Sequence, residues 1–346
     1  MSGTNNHKFL VIGLGSMGKR RVRNLIALGH KENIAGFDPR TDRTAEAAEY
    51  GIPVFNDFDE AIKEWKPTRF MISTPPNFHS KYMNIALENN IHSFIEASVV
   101  DSKEIMNISN KTKSQSLVMA PSCTMRFYPG PIKVKALVEE KAIGDVLYFN
   151  YQIGQYLPDW HPWEKIQDFY VSNPDTGGAR EIVPFELTWL NDVFGDSTPL
   201  TCVRRKLTDM PADIEDIYSC VLEYPGNILG NLTVEVISRP KATRECRIIG
   251  SKGEIIFSGE TNSVKYINTD MDDWKEFSFD SGTVQSGYIY PEEPYINEVK
   301  AFIEAVENVQ DGQPNNYPNT LEEDYKILQT LYKLEELSDG KKDLSR

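Results

Sequence analysis

Short apolar runs alternate with stretches of helical spacing over the first third of the chain. The helical stretches carry apolar residues three and four positions apart, and each is followed by a short apolar run. Such alternation predicts a parallel sheet whose strands are joined by crossover helices. The predicted strands are residues 9–12, 33–37, 52–55, 69–73, 92–96 and 117–121. We therefore predict an α/β domain over residues 1–122.

After residue 122 the pattern changes to longer strands. Between residues 201 and 280, apolar and polar positions alternate and Gly, Pro and Asn interrupt the strands, as in an antiparallel sheet of hairpins. The other predicted elements are a helix at 132–140, a strand at 146–154, a helix at 180–193 and closing helices at 294–307 and 321–336. We predict a second, α+β domain over residues 123–346 with a large, mostly antiparallel open sheet. Whether the closing helices pack back on the first domain stays open.

The first predicted strand leads into three glycines, Gly13, Gly15 and Gly18, spaced G-x-G-x-x-G and followed by a helix. Gly13 permits a tight turn, Gly15 lets the backbone approach a pyrophosphate, and Gly18 lets helix and strand pack closely. The helix N-terminus offers unpaired N–H groups to phosphates. The first domain is therefore predicted to be a Rossmann dinucleotide-binding domain. Its loop residues are Gly13, Leu14, Gly15, Ser16, Met17 and Gly18.

The second strand ends in Asp38, at the distance expected for an acid that binds a ribose. A carboxylate accepts hydrogen bonds from ribose hydroxyls and repels a 2′-phosphate, which favours NAD over NADP. Arg40, two residues further on, could stack on adenine or soften that repulsion. NAD is therefore the expected cofactor, and NADP stays open.

Charge and composition exclude several classes of protein. A net charge of −14 argues against nucleic-acid or anionic-membrane partners, because phosphates select basic surfaces. The first eight residues are polar and no long apolar run follows, so we expect a cytoplasmic protein without a membrane segment. The cysteines are scattered without a C-x-x-C pair, which predicts buried thiols and no metal: Cys123, Cys202, Cys220 and Cys246.

Several motifs in order resemble the glucose–fructose oxidoreductase / inositol dehydrogenase / MocA (Gfo/Idh/MocA) family over nearly the whole chain. Besides the glycine loop they are Thr74-Pro75-Pro76-Asn77-Phe78-His79, the strand ending in Glu96, Met125-Arg126-Phe127, Gly177-Gly178, Gly250-Ser251-Lys252-Gly253-Glu254-Ile255 and Tyr295-x-x-Glu298. The resemblance implies a nicotinamide cofactor and a sugar, polyol or nucleotide-sugar substrate. It also implies a homodimer or homotetramer formed through the open sheet of the second domain.

The resemblance further implies which residues surround the cofactor. The turn after the fourth strand would hold its ribose and nicotinamide side, and the end of the fifth strand would lie nearby. The implied residues are Ser73, Thr74, Pro75, Pro76, Asn77, His79, Glu96 and Ala97. For His79, bonding only to backbone at a helix start is an equally good interpretation.

The chain departs from the family at both proton-transfer positions. The family's Glu-Lys-Pro turn reads Glu96-Ala97-Ser98 here, so the lysine is missing. In the subgroup whose helix after Gly-Gly reads Ser-His-Glu-Ile-Asp, Phe185 falls on the histidine. This matters because removing a hydride from a carbinol leaves a proton that needs an acceptor.

Four residues are candidates for that acceptor, with His161 first and Tyr156, Glu181 and Glu186 behind it. His161 lies in a segment rich in Trp, Tyr and Pro, and flat apolar rings beside polar groups suit a sugar. This segment looks like one found in family members that act on nucleotide sugars. The predicted substrate-binding residues are Arg126, Trp160, Trp163, Arg180 and Phe185.

Each of these assignments has a structural alternative. One alternative for the aromatic segment is an ordered loop that only packs on the sheet. Arg180 and Glu181 could form an ion pair at the helix start, although the resemblance implies that this helix faces the nicotinamide. Glu186 could be a structural carboxylate, and Arg126 could pair at the domain junction.

The first hypothesis is therefore an NAD(P)-dependent oxidoreductase that acts on a sugar or nucleotide sugar with an atypical proton acceptor. The second is a catalytically silent cofactor-binding sensor or corepressor. The third is a non-redox epimerase, lyase or glycosidase-type enzyme with a resident NAD. Reduction of NAD by members of a sugar panel would separate the first hypothesis from the other two.

Overall fold

The computed structural model describes residues 7–113, 115–160, 164–168, 170–288 and 290–342. The chain divides into two compact units, Met1–Thr124 with Glu292–Tyr325, and Met125–Pro291 with Lys326–Arg346. Within the described ranges, no helix is long and apolar enough to cross a membrane.

Strands and helices of the described residues alternate up to α7, and a run of strands follows, as the sequence pattern predicts. In chain order they are β1 (Phe9–Ile12), α1 (Ser16–Ala27), β2 (Ile34–Phe37), α2 (Thr41–Ala48), β3 (Val54–Phe55), α3 (Phe58–Trp65), β4 (Arg69–Ile72), α4 (His79–Glu88), β5 (His92–Ile95), α5 (Ser102–Thr112), β6 (Met119–Pro121), α6 (Pro129–Glu139), β7 (Val146–Gly154), α7 (Ala179–Phe194), β8 (Thr198–Arg205), β9 (Ile217–Tyr224), β10 (Ile228–Glu235), β11 (Thr243–Gly250), β12 (Gly253–Ser258), β13 (Ser263–Asn268), β14 (Lys275–Ser278), α8 (Glu293–Gln310) and α9 (Leu321–Lys342).

The first unit contains a six-stranded parallel sheet in the order β3-β2-β1-β4-β5-β6. Strand β1 lies at its centre, with Leu10 between Ala35 of β2 and Phe70 of β4. All four residues of β1 are buried, which explains why the run is apolar throughout and does not alternate. The predicted Rossmann domain is confirmed.

The second unit contains an eight-stranded sheet in the order β14-β13-β12-β11-β7-β10-β9-β8. Every neighbouring pair is antiparallel except β7 and β10, which run parallel. One face is buried under α6 and α7, where Phe149 of β7 stacks on Phe194 of α7 with ring centroids 4.4 Å apart. The predicted α+β fold with a mostly antiparallel sheet is confirmed.

The closing helices divide differently from the simple boundary drawn at residue 122. By their contacts, Glu292–Tyr325 group with the first unit, and the rest of α9 groups with the second. The physical reason lies in α8, where the Glu298 carboxylate accepts hydrogen bonds from Ser122 Oγ and the Cys123 amide at the end of β6. Local periodicity predicts the helix but carries no information about this pairing.

Candidate functional site

Four loops meet at one edge of the parallel sheet. They follow β1, β2, β4 and β5 and contain the glycines, Asp38, the turn at 73–77 and the turn at 96–98. Because parallel strands place their carboxyl ends at the same edge, the topology collects all predicted cofactor residues there. The strand order reverses between the neighbouring strands β1 and β4, and sheets of this kind bind ligands at that switch point.

The three glycines serve different steric purposes. Gly13 has φ +88°, and a Cβ there would lie 2.7 Å from the Ser73 carbonyl oxygen. A Cβ on Gly18 would overlap the Gly13 carbonyl oxygen. A Cβ on Gly15 would meet nothing nearer than Arg43 Nη1 at 3.4 Å. Gly13 and Gly18 are therefore required by the protein's own packing. Gly15 instead leaves open space beside the backbone, which a pyrophosphate can occupy.

The N-terminus of α1 is suited to bind an anion. Gly15 is its N-cap residue, so no side chain caps the helix, and its first turn contains no acidic residue. Since the helix dipole places partial positive charge at this end, phosphate oxygens are favoured there.

Asp38 is 3% exposed and is held at the glycine loop. Its Oδ2 accepts a hydrogen bond from the Leu14 amide at 2.8 Å, and its Oδ1 accepts one from the Arg40 amide at 2.9 Å. Each carboxylate oxygen has a second lone pair, so both can still accept from ribose hydroxyls.

The arginine that approaches Asp38 is Arg43, not Arg40. The Arg40 guanidinium bonds to the exposed Asp42, whereas Arg43 Nη1 lies 3.7 Å from Asp38 Oδ2. Arg43 was not predicted from the sequence. It lies three residues after Arg40, in the first turn of α2, and predicting its position would have required the exact start of that helix.

The turn after β4 contains a polar atom without a partner. Thr74 Oγ1 is buried and has no hydrogen bond within the described part of the chain, so it can serve a ligand. His79 Nε2 bonds to the Thr74 carbonyl oxygen at 2.9 Å, and burial lowers the pKa of His79. This contact matches the structural interpretation of His79, in which a neutral imidazole holds the turn.

Glu96 is engaged by a buried arginine. Arg21 of α1 donates to both Glu96 carboxylate oxygens at 2.7 and 3.0 Å, and it also pairs with Glu298 at 2.9 Å. Arg21 and Glu298 are fully buried. Burial raises the pKa of Glu298, and the Arg21 guanidinium opposes that shift. Glu96 therefore ties α1 to the end of β5, while Ala97 beside it offers only a methyl group.

A second cluster lies in the other unit, around Glu186 of α7. Glu186 is fully buried, and its Oε2 accepts hydrogen bonds from Tyr151 Oη at 2.6 Å, Trp189 Nε1 at 3.0 Å and Arg244 Nη1 at 2.8 Å. Its Oε1 has no partner within the described residues. Glu186 is thus a buried carboxylate that positions Arg244. Arg244 was not predicted from the sequence, because β11 carries no motif at that point.

Glu181 lies in the first turn of α7 and accepts a hydrogen bond from the Tyr170 hydroxyl. Its Oε2 is buried and has no partner in the described part of the structure. Burial raises the pKa of Glu181 to about 7. A carboxyl group with this pKa exchanges protons near neutral pH, as a general acid or base must.

The predicted substrate-binding arginines are engaged elsewhere. Arg180 donates to the Glu335 carboxylate of α9 at 2.7 Å and to the Asp175 carbonyl oxygen. Arg126 Nε donates to the Thr188 carbonyl oxygen of α7 at 3.0 Å. The structure therefore gives both guanidinium groups protein partners: Arg180 pairs with Glu335 and not with Glu181, and Arg126 bonds to α7 within its own unit.

The aromatic candidates are only partly described. Tyr156 accepts a hydrogen bond from Arg239 at 3.3 Å, and Trp160 Nε1 is buried without a partner among the described residues. Phe185 is half-buried on α7. His161 and Trp163 lie outside the described residues. Within the described ranges, no group of three or more His, Cys, Asp or Glu residues could hold a metal ion.

Comparisons with known proteins agree with this architecture. Residues 7–122 match the family model described as an oxidoreductase family with an NAD-binding Rossmann fold, and residues 132–256 match the GFO/IDH/MocA C-terminal domain. A curated relative, the trans-1,2-dihydrobenzene-1,2-diol dehydrogenase of Oryctolagus cuniculus, is 23% identical over 256 residues, which are 70% of this chain and 73% of the relative.

Two solved structures share the fold over nearly their whole length. A levoglucosan dehydrogenase in complex with NADH and levoglucosan is 16% identical, with a TM-score of 0.81 over 96% of this chain and 97% of that chain. An inositol dehydrogenase homologue from Azotobacter vinelandii complexed with NAD⁺ is 14% identical, with a TM-score of 0.79 over 98% of both chains. Since both domain models match, in the order that the motifs predict, the chain belongs to the Gfo/Idh/MocA family of NAD-binding oxidoreductases.

Proposed function

We propose that the protein is an NAD-dependent dehydrogenase that oxidises a carbinol of a sugar or nucleotide sugar, with Glu181 as the proton acceptor. The bound nicotinamide supplies the hydride acceptor. The substrate's C–H hydrogen leaves as a hydride with its electron pair, and its hydroxyl proton passes to Glu181 Oε2, which leaves a carbonyl.

The observation that carries this proposal is the state of the Glu181 carboxyl group. Its Oε1 is held by Tyr170, its buried Oε2 has no partner in the described residues, and its pKa is raised to about 7. The other described candidates are less suitable: Glu186 is fixed by three donors on one oxygen, and Tyr156 accepts from Arg239. Tyr170 is a positioning residue for Glu181.

The sugar class is supported by the aromatic segment at 155–160 and by the relatives. The similar structures include a levoglucosan dehydrogenase and an inositol dehydrogenase homologue. NADP as a second cofactor belongs to the proposal, because Arg43 lies beside Asp38. The cytoplasm is proposed as its location.

Oligomerisation through the eight-stranded sheet is also proposed. Val203 of β8 and Leu229 of β10 lie on the face that is not covered by α6 and α7, and each is 41% exposed. A homodimer or homotetramer would bury these side chains, and measuring the molar mass in solution tests this.

The test of Glu181 is the absorbance of reduced nicotinamide with NAD and a panel of sugars, polyols and nucleotide sugars. Glu181→Gln should lower kcat by about 10²- to 10⁴-fold, as expected for loss of a positioned general base. The wild-type rate of oxidation should rise with pH through about 7, and the variant should lack this dependence. Glu140→Gln, at an exposed position at the end of α6, is the matched control and should keep wild-type activity. Wild-type turnover in Glu181→Gln, with loss in His161→Ala, would transfer the role to His161.

A cofactor-binding sensor is the second candidate, and Ala97 is the observation that favours it. A methyl group at the family's lysine position cannot move a proton, and Glu96 beside it is held by Arg21. NAD binding without any reduction across the whole panel would support the sensor over the dehydrogenase.

A further inference from the structure

We propose that Arg244 binds an anionic group of the substrate, a carboxylate or a phosphate, through the Nε–Nη2 edge of its guanidinium. The inference rests on the proposed function, because it specifies the substrate class of that site. It goes beyond the predicted substrate residues, whose two arginines both have protein partners.

The hydrogen bonds of Arg244 are concentrated on one nitrogen. Within the described residues, Nη1 donates to Tyr151 Oη at 2.6 Å and Glu186 Oε2 at 2.8 Å and approaches Met125 Sδ at 3.3 Å. Nε and Nη2 have no hydrogen-bond partner there, and neither is a buried unpaired atom. The side chain is 12% exposed, whereas Glu186 is completely buried. One edge of the guanidinium is therefore fixed by the protein and the other reaches the surface.

The cluster beneath Arg244 holds it in one orientation. Glu186 is itself fixed by hydrogen bonds from Tyr151 and Trp189, so the carboxylate that binds Nη1 does not move when a ligand binds Arg244. Because this orientation exists before a substrate arrives, little side-chain entropy is lost when the free edge binds one.

Tyr290 contacts both Arg244 and Gln155. The Tyr290 ring lies 5.9 Å from the guanidinium carbon of Arg244, and its hydroxyl accepts a hydrogen bond from the amide of Gln155. Gln155 immediately precedes Tyr156 and the aromatic segment proposed to bind the sugar. Tyr290 thus connects Arg244 with the segment proposed to bind the sugar.

The chemistry of the free edge selects the ligand class. Nε and Nη2 present two parallel N–H groups, which match the two oxygens of a carboxylate or phosphate. A neutral hydroxyl has one oxygen and no charge, so it cannot match the two N–H groups in parallel. The substrate is therefore a sugar acid, or a sugar carrying a phosphate or nucleotide diphosphate.

The test compares matched neutral and anionic probes by calorimetric binding to the NAD-loaded protein. The probes are D-glucose, D-glucuronate and D-glucose 6-phosphate. At least one anionic probe should bind about 10- to 100-fold more tightly than glucose, because hydrogen bonds to charged groups are the strong ones. Tighter binding of glucuronate identifies a carboxylate as the group that Arg244 binds, and tighter binding of glucose 6-phosphate identifies a phosphate. Equal binding of all three probes, or no binding of either anion, overturns the proposal.

Arg244→Lys tests the edge itself, because lysine keeps the charge but loses the two parallel donors. It should weaken the anionic probe about 10- to 100-fold and leave glucose within about threefold. Lys333→Arg, the reverse exchange at an exposed position of α9, is the control and should change neither. Equal weakening of anion and neutral sugar would indicate a structural role and overturn the proposal.

Two further variants keep the inference testable if Arg244→Lys fails to fold. The double variant Glu186→Gln/Arg244→Gln removes both buried charges together and should still lose the preference for the anion. Glu181→Gln should bind the anion as the wild type does while its kcat falls by about 10²- to 10⁴-fold. Preference for the anion in a wild-type protein that reduces NAD with no member of the panel would refute the proposed dehydrogenase and leave the role of Arg244 intact.

Discussion

Replacing Gly15 and Gly18 one at a time by alanine should separate cofactor binding from folding. The two residues belong to the same loop, and alanine adds the same methyl group at each. What differs is the space that receives it. At Gly18 the added Cβ overlaps the Gly13 carbonyl oxygen, which is backbone and cannot rotate away. At Gly15 the nearest atom is the flexible end of Arg43, at 3.4 Å.

The magnitudes follow from these contacts. Gly18→Ala should lower the free energy of unfolding by about 1–3 kcal/mol or more, as overpacking against fixed atoms does. Gly15 has φ −69°, which alanine adopts without strain. Gly15→Ala should therefore change the free energy of unfolding by less than about 1 kcal/mol, and the smaller unfolded-state entropy of alanine favours a slight gain. Its methyl group occupies the space that the pyrophosphate needs, so NAD affinity should fall at least about tenfold.

Urea denaturation followed by circular dichroism measures the first quantity, and NADH fluorescence titration measures the second. The expected pattern is a folded Gly15→Ala protein that binds NADH weakly and a Gly18→Ala protein of reduced stability. If Gly15→Ala destabilises as much as Gly18→Ala, the steric argument is wrong. If Gly15→Ala binds NADH like the wild type, the pyrophosphate does not lie over this glycine.

Three further predictions concern buried charge. Arg21→Met should lower the free energy of unfolding, measured by urea denaturation, by about 3–5 kcal/mol, because it leaves Glu298 buried without its cation. Lys19→Met removes a more exposed pair on the same helix and should lower it by about 0–1 kcal/mol. Equal losses in the two variants would contradict this. Burial raises the pKa of Glu181 from 4.5 to about 7, so the folded protein holds this proton more tightly than the unfolded chain. The resulting stability is complete below pH 4.5 and is lost as pH rises through about 7, and Glu181→Gln should flatten that part of a pH series of melting temperatures; an unchanged slope would count against the burial argument. Asp38→Ser should raise the NADP-to-NAD ratio of kcat/KM by freeing Arg43, and adding Arg43→Ala should reverse the gain, unless Arg43 plays no part in selectivity.

The order of strands and helices could be predicted from the sequence because it depends on local patterns. Runs such as Phe9–Ile12 are apolar throughout because both faces of a central parallel strand are covered, and the later strands alternate because only one face is. The glycine loop and Asp38 were also predictable, since their spacing is set by the chain path from β1 into α1 and on to β2. These features need only neighbouring residues to be explained.

The partners of the polar side chains could not be predicted in this way. Arg180 and Glu181 are adjacent in sequence, yet Arg180 pairs with Glu335 and Glu181 with Tyr170. Arg244 lies in an ordinary strand and becomes notable only because Glu186, far away in the sequence, fixes one edge of its guanidinium. Burial decides such pairings, because an unpaired charge inside the protein is too costly to tolerate.

By itself, therefore, the sequence determined the Rossmann unit and the antiparallel sheet, and it predicted the place of the cofactor. Each of these follows from periodicity and from glycines that the backbone requires. Only the tertiary structure decided that Glu96 is held by Arg21, that Glu181 has a pKa of about 7, and that Arg244 has a free edge. The reason is physical: these properties depend on which residues, distant in sequence, are buried together, and the local sequence does not encode those contacts.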